Sequence, residues 1–158
     1  MTSDDDVRPG EAAIAPPDGR DAWLTFIGRI RTPFKTRSEC PKNTRQSEAT
    51  GTVELDQRYV AGLEGLENFS HIVLLYWMHD ARRDLIAQVP HHLGERRGTF
   101  ALRSPVRPNP VSIGVVELLG IKGNRLTVRK VDCLDGTPLI DIKPYFASTD
   151  SIPGAKSG

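Results

Sequence analysis

His71-Ile72-Val73-Leu74-Leu75-Tyr76-Trp77-Met78 is the most apolar run of the chain. It is rich in β-branched and aromatic side chains, which fit a pleated surface better than a helix. It is far too short to span a bilayer. The run predicts a central strand covered on both faces. His79-Asp80-Ala81-Arg82-Arg83 follows as a polar cluster at the strand's end.

Toward the C-terminus, Leu85 to Gly98 is polar, carries His91-His92 and reads as irregular. Thr99 to Arg103 reads as a short strand. It feeds Arg103-Ser104-Pro105-Val106-Arg107-Pro108-Asn109-Pro110. Each proline fixes a φ angle, removes a backbone donor and pushes the preceding residue into extended geometry. The segment is therefore neither helix nor interior strand but a stiff loop. Two arginines on a preset backbone suit capture of a carboxylate or phosphate at little ordering cost. Val111 to Ile121 is a strand, Lys122-Gly123-Asn124 a turn, and Arg125 to Asp132 the partner strand of a hairpin. Asp135-Gly136-Thr137-Pro138 reads as a turn, Leu139 to Ile142 as a final short strand, and 147–158 as a flexible tail.

Toward the N-terminus, Gln57 to Glu67 has near-helical apolar spacing and reads as a short helix broken by glycines. Ala49 to Asp56 reads as a strand. Phe34 to Gln46 is a long polar and basic loop around Cys40-Pro41, of the length that is usually functional or disordered. Trp23 to Arg31 alternates apolar and polar and reads as the first strand, stopped at Thr32-Pro33. Residues 1–20 are rich in Asp, Pro, Gly and Ala and read as a mobile segment outside the core. The expectation is one domain over 21–146: mainly β, a small β-barrel with one or two short helices and long functional loops.

Composition narrows the function classes. With 158 residues the chain is long enough for a real core, and a formal net charge of +1 advertises no polyanion partner by itself, although a local basic face remains compatible with it. Cys40 and Cys133 lie far apart with no C-x-x-C pairing, which fits a reduced, cytoplasmic protein better than a disulfide scaffold. The acidic N-terminus is not a secretory leader, and no membrane partner is expected. No G-x-G-x-x-G follows a strand, and no P-loop or G-x-S-x-G elbow is present. His79, His91 and His92, with Asp80 or Glu95, raise a metal-hydrolase alternative. No H-x-x-x-H or cysteine spacing supports it, so no metal is expected.

Three ordered stretches carry a resemblance. Leu66-Glu67-Asn68-Phe69-Ser70-His71, the proline loop, and Asp135-Gly136-Thr137-Pro138-Leu139-Ile140-Asp141-Ile142-Lys143-Pro144-Tyr145 resemble the TrmO (TsaA-like, YaeB-like) family. Ile27-Gly28-Arg29-Ile30-Arg31-Thr32-Pro33-Phe34 resembles that family's opening strand. The resemblance covers about residues 24–146. It implies a methyltransferase dependent on S-adenosyl-L-methionine that modifies N6 of the threonylcarbamoylated adenosine beside the anticodon of tRNA. It also implies a barrel that forms a homodimer. The resemblance places the cofactor against Pro41, Lys42 and Asn43, Met78 and His79, Arg103, Ile113, and Asp135, Gly136, Thr137 and Pro138. Asp141 and Tyr145 are the candidates for the adenine edge, and Arg107 for a phosphate or the threonylcarbamoyl carboxylate. Two departures stand out: Lys42-Asn43 replaces an Arg-Gln-like pair, and longer relatives carry an extension beyond the barrel. A non-catalytic cofactor- or RNA-binding module is the alternative from another class.

Overall fold

The computed structural model describes residues 6–157. Its strands are β1 (Ala12–Ala13), β2 (Gly28–Arg31), β3 (Thr50–Leu55), β4 (His71–Trp77), β5 (Leu85–Gln88), β6 (Arg97–Gly98), β7 (Val111–Lys122), β8 (Arg125–Arg129) and β9 (Thr137–Pro144). One helical turn, α1 (Ala147–Asp150), follows. Six strands close into a barrel in the order β2-β3-β8-β7-β4-β9, with antiparallel neighbours throughout. Closure pairs the backbone donors and acceptors that an open sheet would leave at its edges.

The two-residue side-chain period of a strand sends alternate residues into the barrel. Ile72, Leu74 and Tyr76 of β4 meet Ile30 of β2, Val53 and Leu55 of β3, Val116 of β7, Leu126 and Val128 of β8, and Leu139 of β9 in one core. Strand β7 holds the barrel together at a bend. Val111–Glu117 pair with β4, and the strand then passes to β8 through an irregularity between Leu118 and Gly120. The β7–β8 hairpin turns at Gly123, whose φ of 60° lies in the left-handed region.

The β-barrel expectation is met; several elements within it differ. The central strand is covered on both faces only at Ile72, Val73 and Leu74, and loosens from Leu75. Inner positions of a closed barrel are sealed, whereas outer ones depend on what lies over them. The first strand is shorter than Trp23 to Arg31. Trp23, Leu24 and Phe26 are exposed, so their alternation reflects no sheet. The expected helix over Gln57 to Glu67 is a 3-10 run, Gln57–Leu63, followed by a separate 3-10 turn, Leu66–Asn68. Gly65 between them has a φ of 85° and breaks any continuous helix. Thr99 to Arg103 is no strand: Thr99–Ala101 is a 3-10 turn. Leu85 to Gly98 is not wholly irregular, since β5 and β6 form a small sheet with β1. Ala12–Ala13 thereby pair inside the stretch expected to stand apart from the fold. Strand β9 begins at Thr137, so Thr137 and Pro138 belong to a strand and only Asp135 and Gly136 to the turn.

Candidate functional site

The long loop after β2, the turn after β4, the proline loop and the first half of β7 enclose an open groove of about 1260 Å³. Two 3-10 turns, Arg37–Glu39 and Thr44–Gln46, shape the long loop. Asn43 caps the second: its Oδ1 accepts from the Gln46 amide at 3.1 Å. Gly114 lets this turn come close. A Cβ at Gly114 would lie 2.9 Å from Thr44 Cγ2 and 3.3 Å from the Tyr76 hydroxyl.

The proline loop is stiff in a way the prolines alone do not explain. Its carbonyls are taken up by side chains from outside or within the loop. Gln88 Nε2 donates to the Val106 carbonyl at 2.7 Å, and Arg83 Nε to the Pro108 carbonyl at 2.6 Å. Arg107 Nη1 donates to the carbonyls of Leu102 (3.0 Å) and Ser104 (3.1 Å). The Met78 amide donates to the Pro110 carbonyl at 2.9 Å, which docks the loop on the end of β4. Arg107 thus braces the loop it sits on. Arg103 is exposed and makes one long contact, Nη2 to the Ile113 carbonyl at 3.3 Å.

Of the residues singled out from sequence, Pro41, Lys42, Asn43, Met78, His79, Arg103, Arg107, Ile113, Thr137 and Tyr145 all line the groove. Asp135, Gly136, Pro138 and Asp141 do not. Asp135 is committed elsewhere. Its Oδ2 takes Lys35 Nζ at 2.6 Å and its Oδ1 takes the Thr32 amide at 3.1 Å, clasping the end of β2. The Lys35 hydrogen bond is the main reason its carboxyl is held below the ordinary aspartate value. The Gly136 amide donates to the Ile30 carbonyl at 2.9 Å, and Pro138 is buried opposite Arg29. Asp141 pairs with Lys143 at 2.7 Å. His91 lies against Arg8, 2.8 Å from its guanidinium. Among the described residues, no three His, Cys, Asp or Glu side chains gather as a metal ion would require.

The residues that sequence reasoning passed over are Tyr76 and Asp132. The Tyr76 ring fills an inner barrel position, while its hydroxyl reaches the groove and donates to Asp132 Oδ1 at 2.5 Å. Burial pushes the Asp132 carboxyl above the ordinary range, against the lowering pull of the Tyr76 hydrogen bond and the Arg103 charge. Burial, reinforced by Asp132, likewise raises the Tyr76 hydroxyl. Lys130, just before Asp132, has a φ of 78° and turns the chain after β8 into the groove wall. No sequence pattern brings position 76 beside position 132; only barrel closure does.

The groove is strongly cationic. Arg37, Lys42, Arg45, Arg103 and Arg107 line it, with Lys130, whose Nζ pairs with Glu48 at 2.7 Å, against two carboxylates on the lining, Asp80 and Asp132. A cationic groove on the side of a small closed barrel, with no Gly-rich phosphate loop, sets this protein apart from nucleotide-binding α/β sheets. The family is specific. The model of the tRNA-methyltransferase O N-terminal domain matches residues 29–151, and the chain belongs to that family.

The chain is 44% identical over 138 residues to a probable S-adenosyl-L-methionine-binding protein, VirR, of Rhizobium radiobacter, covering 87% of this chain and 79% of that one. An S-adenosyl-L-methionine-binding protein of Archaeoglobus fulgidus is 45% identical over 129 residues, covering 82% of this chain and 93% of the other. A crystal structure of TrmO from Pseudomonas aeruginosa superposes with a TM-score of 0.75 at 36% identity, covering 89% of this chain. The present chain spans 62% of that structure's length.

Proposed function

We propose that the chain is an S-adenosyl-L-methionine-dependent methyltransferase acting on N6 of the threonylcarbamoyl-modified adenosine beside the anticodon of tRNA. The observation that carries the reading is the groove: a ring of cations around apolar walls, in a chain of this family. The residues present fit the cofactor. Arg103 offers a guanidinium for a carboxylate, and Met78 and Ile113 offer apolar walls for a purine. When bound, the cofactor supplies an electrophilic methyl group.

The protein's share of the work is placement. Pro41, Lys42 and Asn43, with Met78 and His79, form the walls that hold the cofactor, and the docked proline loop holds Arg103 at a fixed point. Lys42 and Arg45 provide phosphate contacts along the rim. Tyr145, beside His71 with ring centroids 6.4 Å apart, offers an aromatic face for a base. Holding the amine and the methyl in near-attack geometry supplies most of the acceleration such a displacement needs.

The test is direct. Purified protein is incubated with S-adenosyl-L-methionine and tRNA bearing the threonylcarbamoyl adenosine, and the nucleosides are analysed by mass. A methyl gain on that nucleoside is expected. Calorimetric titration of the cofactor in chelator is expected to show binding. Binding without any methyl gain would overturn the tRNA reading. It would favour the second one, a binding module without turnover, for which the names of the Rhizobium and Archaeoglobus relatives speak.

A further inference from the structure

Among the described residues, Asp132 is the one carboxylate set into the wall of the groove. Asp80, the other on its lining, is exposed and turned to His79 at 3.5 Å. Asp135 and Asp141 are neutralised by lysines outside the groove. Asp132 differs in three respects. Its residue is half-buried, its Oδ1 is held by the Tyr76 hydroxyl at 2.5 Å, and among the described residues no lysine or arginine pairs with it. A partly desolvated carboxylate with one oxygen fixed and no ion pair is built to exchange a proton rather than to hold a charge. The chain spends structure on this arrangement. Tyr76 is an inner core position, Gly114 leaves space for its hydroxyl, and Lys130 adopts a left-handed backbone to deliver the segment.

We propose that Asp132, steadied by Tyr76, is the group that takes the proton from the substrate amine as it is methylated. This rests on the methyltransferase reading given above. The balance is simple. The amine nitrogen forms its bond to the methyl carbon, the carbon–sulfur bond breaks, and its electron pair stays on sulfur. The N–H proton passes to the Asp132 carboxylate and then to water. Asp132 is the catalytic residue in this step; Tyr76 is a positioning residue that acts through it. The titratable and charged groups facing Asp132 are Tyr76 from β4, Arg103 from the proline loop, Cys40 from the long loop and the neighbouring Cys133. Tyr76 and Arg103 favour its ionised form, whereas burial opposes it.

The experiment compares wild type, Asp132→Asn and Tyr76→Phe by three readouts: cofactor affinity by calorimetry, the pH profile of kcat on modified tRNA, and thermal melting. Asp132→Asn is expected to stay folded, to bind S-adenosyl-L-methionine within about twofold of wild type, and to lose about 100-fold or more in kcat, as loss of general-base assistance does. Tyr76→Phe is expected to lower kcat by less than Asp132→Asn does and to move the acid limb of the profile to higher pH. Without the hydroxyl's hydrogen bond the carboxyl titrates higher, and activity requires its ionised form. Asp132→Asn that loses cofactor affinity in step with activity would make Asp132 a cofactor ligand and overturn the proposal. So would Asp132→Asn with undiminished kcat, or an unmoved acid limb in Tyr76→Phe. Should Asp132→Asn not fold, the Tyr76→Phe profile decides alone. If wild type turns over and the variants behave otherwise, only the Asp132 assignment fails. If wild type transfers no methyl to tRNA, the function reading fails and takes the assignment with it.

Discussion

A half-buried carboxylate in the groove wall works against the fold that holds it. Asp132 titrates higher in the folded chain than in the unfolded one, mainly because it is buried. Such a group costs no stability when both states are protonated. The cost appears as pH rises through the unfolded value of about 3.9 and is complete above the raised folded value. Asp132→Asn is therefore expected to melt higher than wild type at pH 7–8, with the gain vanishing toward pH 3; scanning calorimetry across that range checks it. Gly114 poses the opposite case. A Cβ there would crowd Thr44 Cγ2 at 2.9 Å, so Gly114→Ala is expected to displace the Thr44–Gln46 turn and weaken cofactor binding at least several-fold. Calorimetric titration with a melting curve separates that from unfolding. Arg103→Ala is expected to weaken the cofactor by about 1.5–3 kcal/mol if a charge-assisted bond is lost. Arg107 was legible in the sequence as a cation on a stiff loop, but not as the brace its two carbonyl bonds make it.

At the level of elements, the proline loop and the small sheet act together. Prolines restrict the loop's φ angles but leave its carbonyls unpaired, and a buried carbonyl without a donor is costly. Strand β5 answers this with Gln88, whose buried Nε2 donates both to the Val106 carbonyl and to Thr99 Oγ1 at 2.9 Å. Thr99 Oγ1 in turn donates to the Leu85 carbonyl at 2.9 Å. Gln88→Ala is expected to cost about 1–3 kcal/mol in urea unfolding, since it orphans two acceptors. It is also expected to weaken cofactor binding, because the loop that carries Arg103 loosens. The stretch from Leu85 to Gly98 shows no strand periodicity, and its sheet is only two to four residues per strand. Its order comes from this hydrogen-bonded partnership with the loop, which no local pattern announces.

At the scale of the whole molecule, the barrel core carries stability. Leu74 is 1% exposed at the core's centre, and Leu74→Ala is expected to cost about 2–5 kcal/mol by lost burial and the cavity left behind. Outside the groove, Trp23, Leu24, Phe26 and Phe146 are exposed apolar side chains, more than isolated surface residues need. We propose that the protein is a homodimer through such a surface. Light scattering at micromolar concentration is expected to give about twice the 17.4 kDa chain mass, and a monomer overturns it. No helix among the described residues is long and apolar enough to cross a membrane.

The β-class of the fold was legible because alternation and β-branched content act locally: Ala49 to Asp56 contains β3, His71 to Met78 contains β4, and the Gly123–Asn124 turn joins β7 to β8. The family was legible because three motifs keep their order along the chain. The proline loop was legible because proline restricts its own backbone whatever surrounds it. Tertiary structure alone decided the rest. Barrel closure set Tyr76 against Asp132 across 56 residues, and the same closure committed Asp135 to Lys35 and Thr32, away from the groove. Which carboxylate faces the groove depends on strand register and on competing partners, and both are properties of the assembled barrel, not of any stretch of chain.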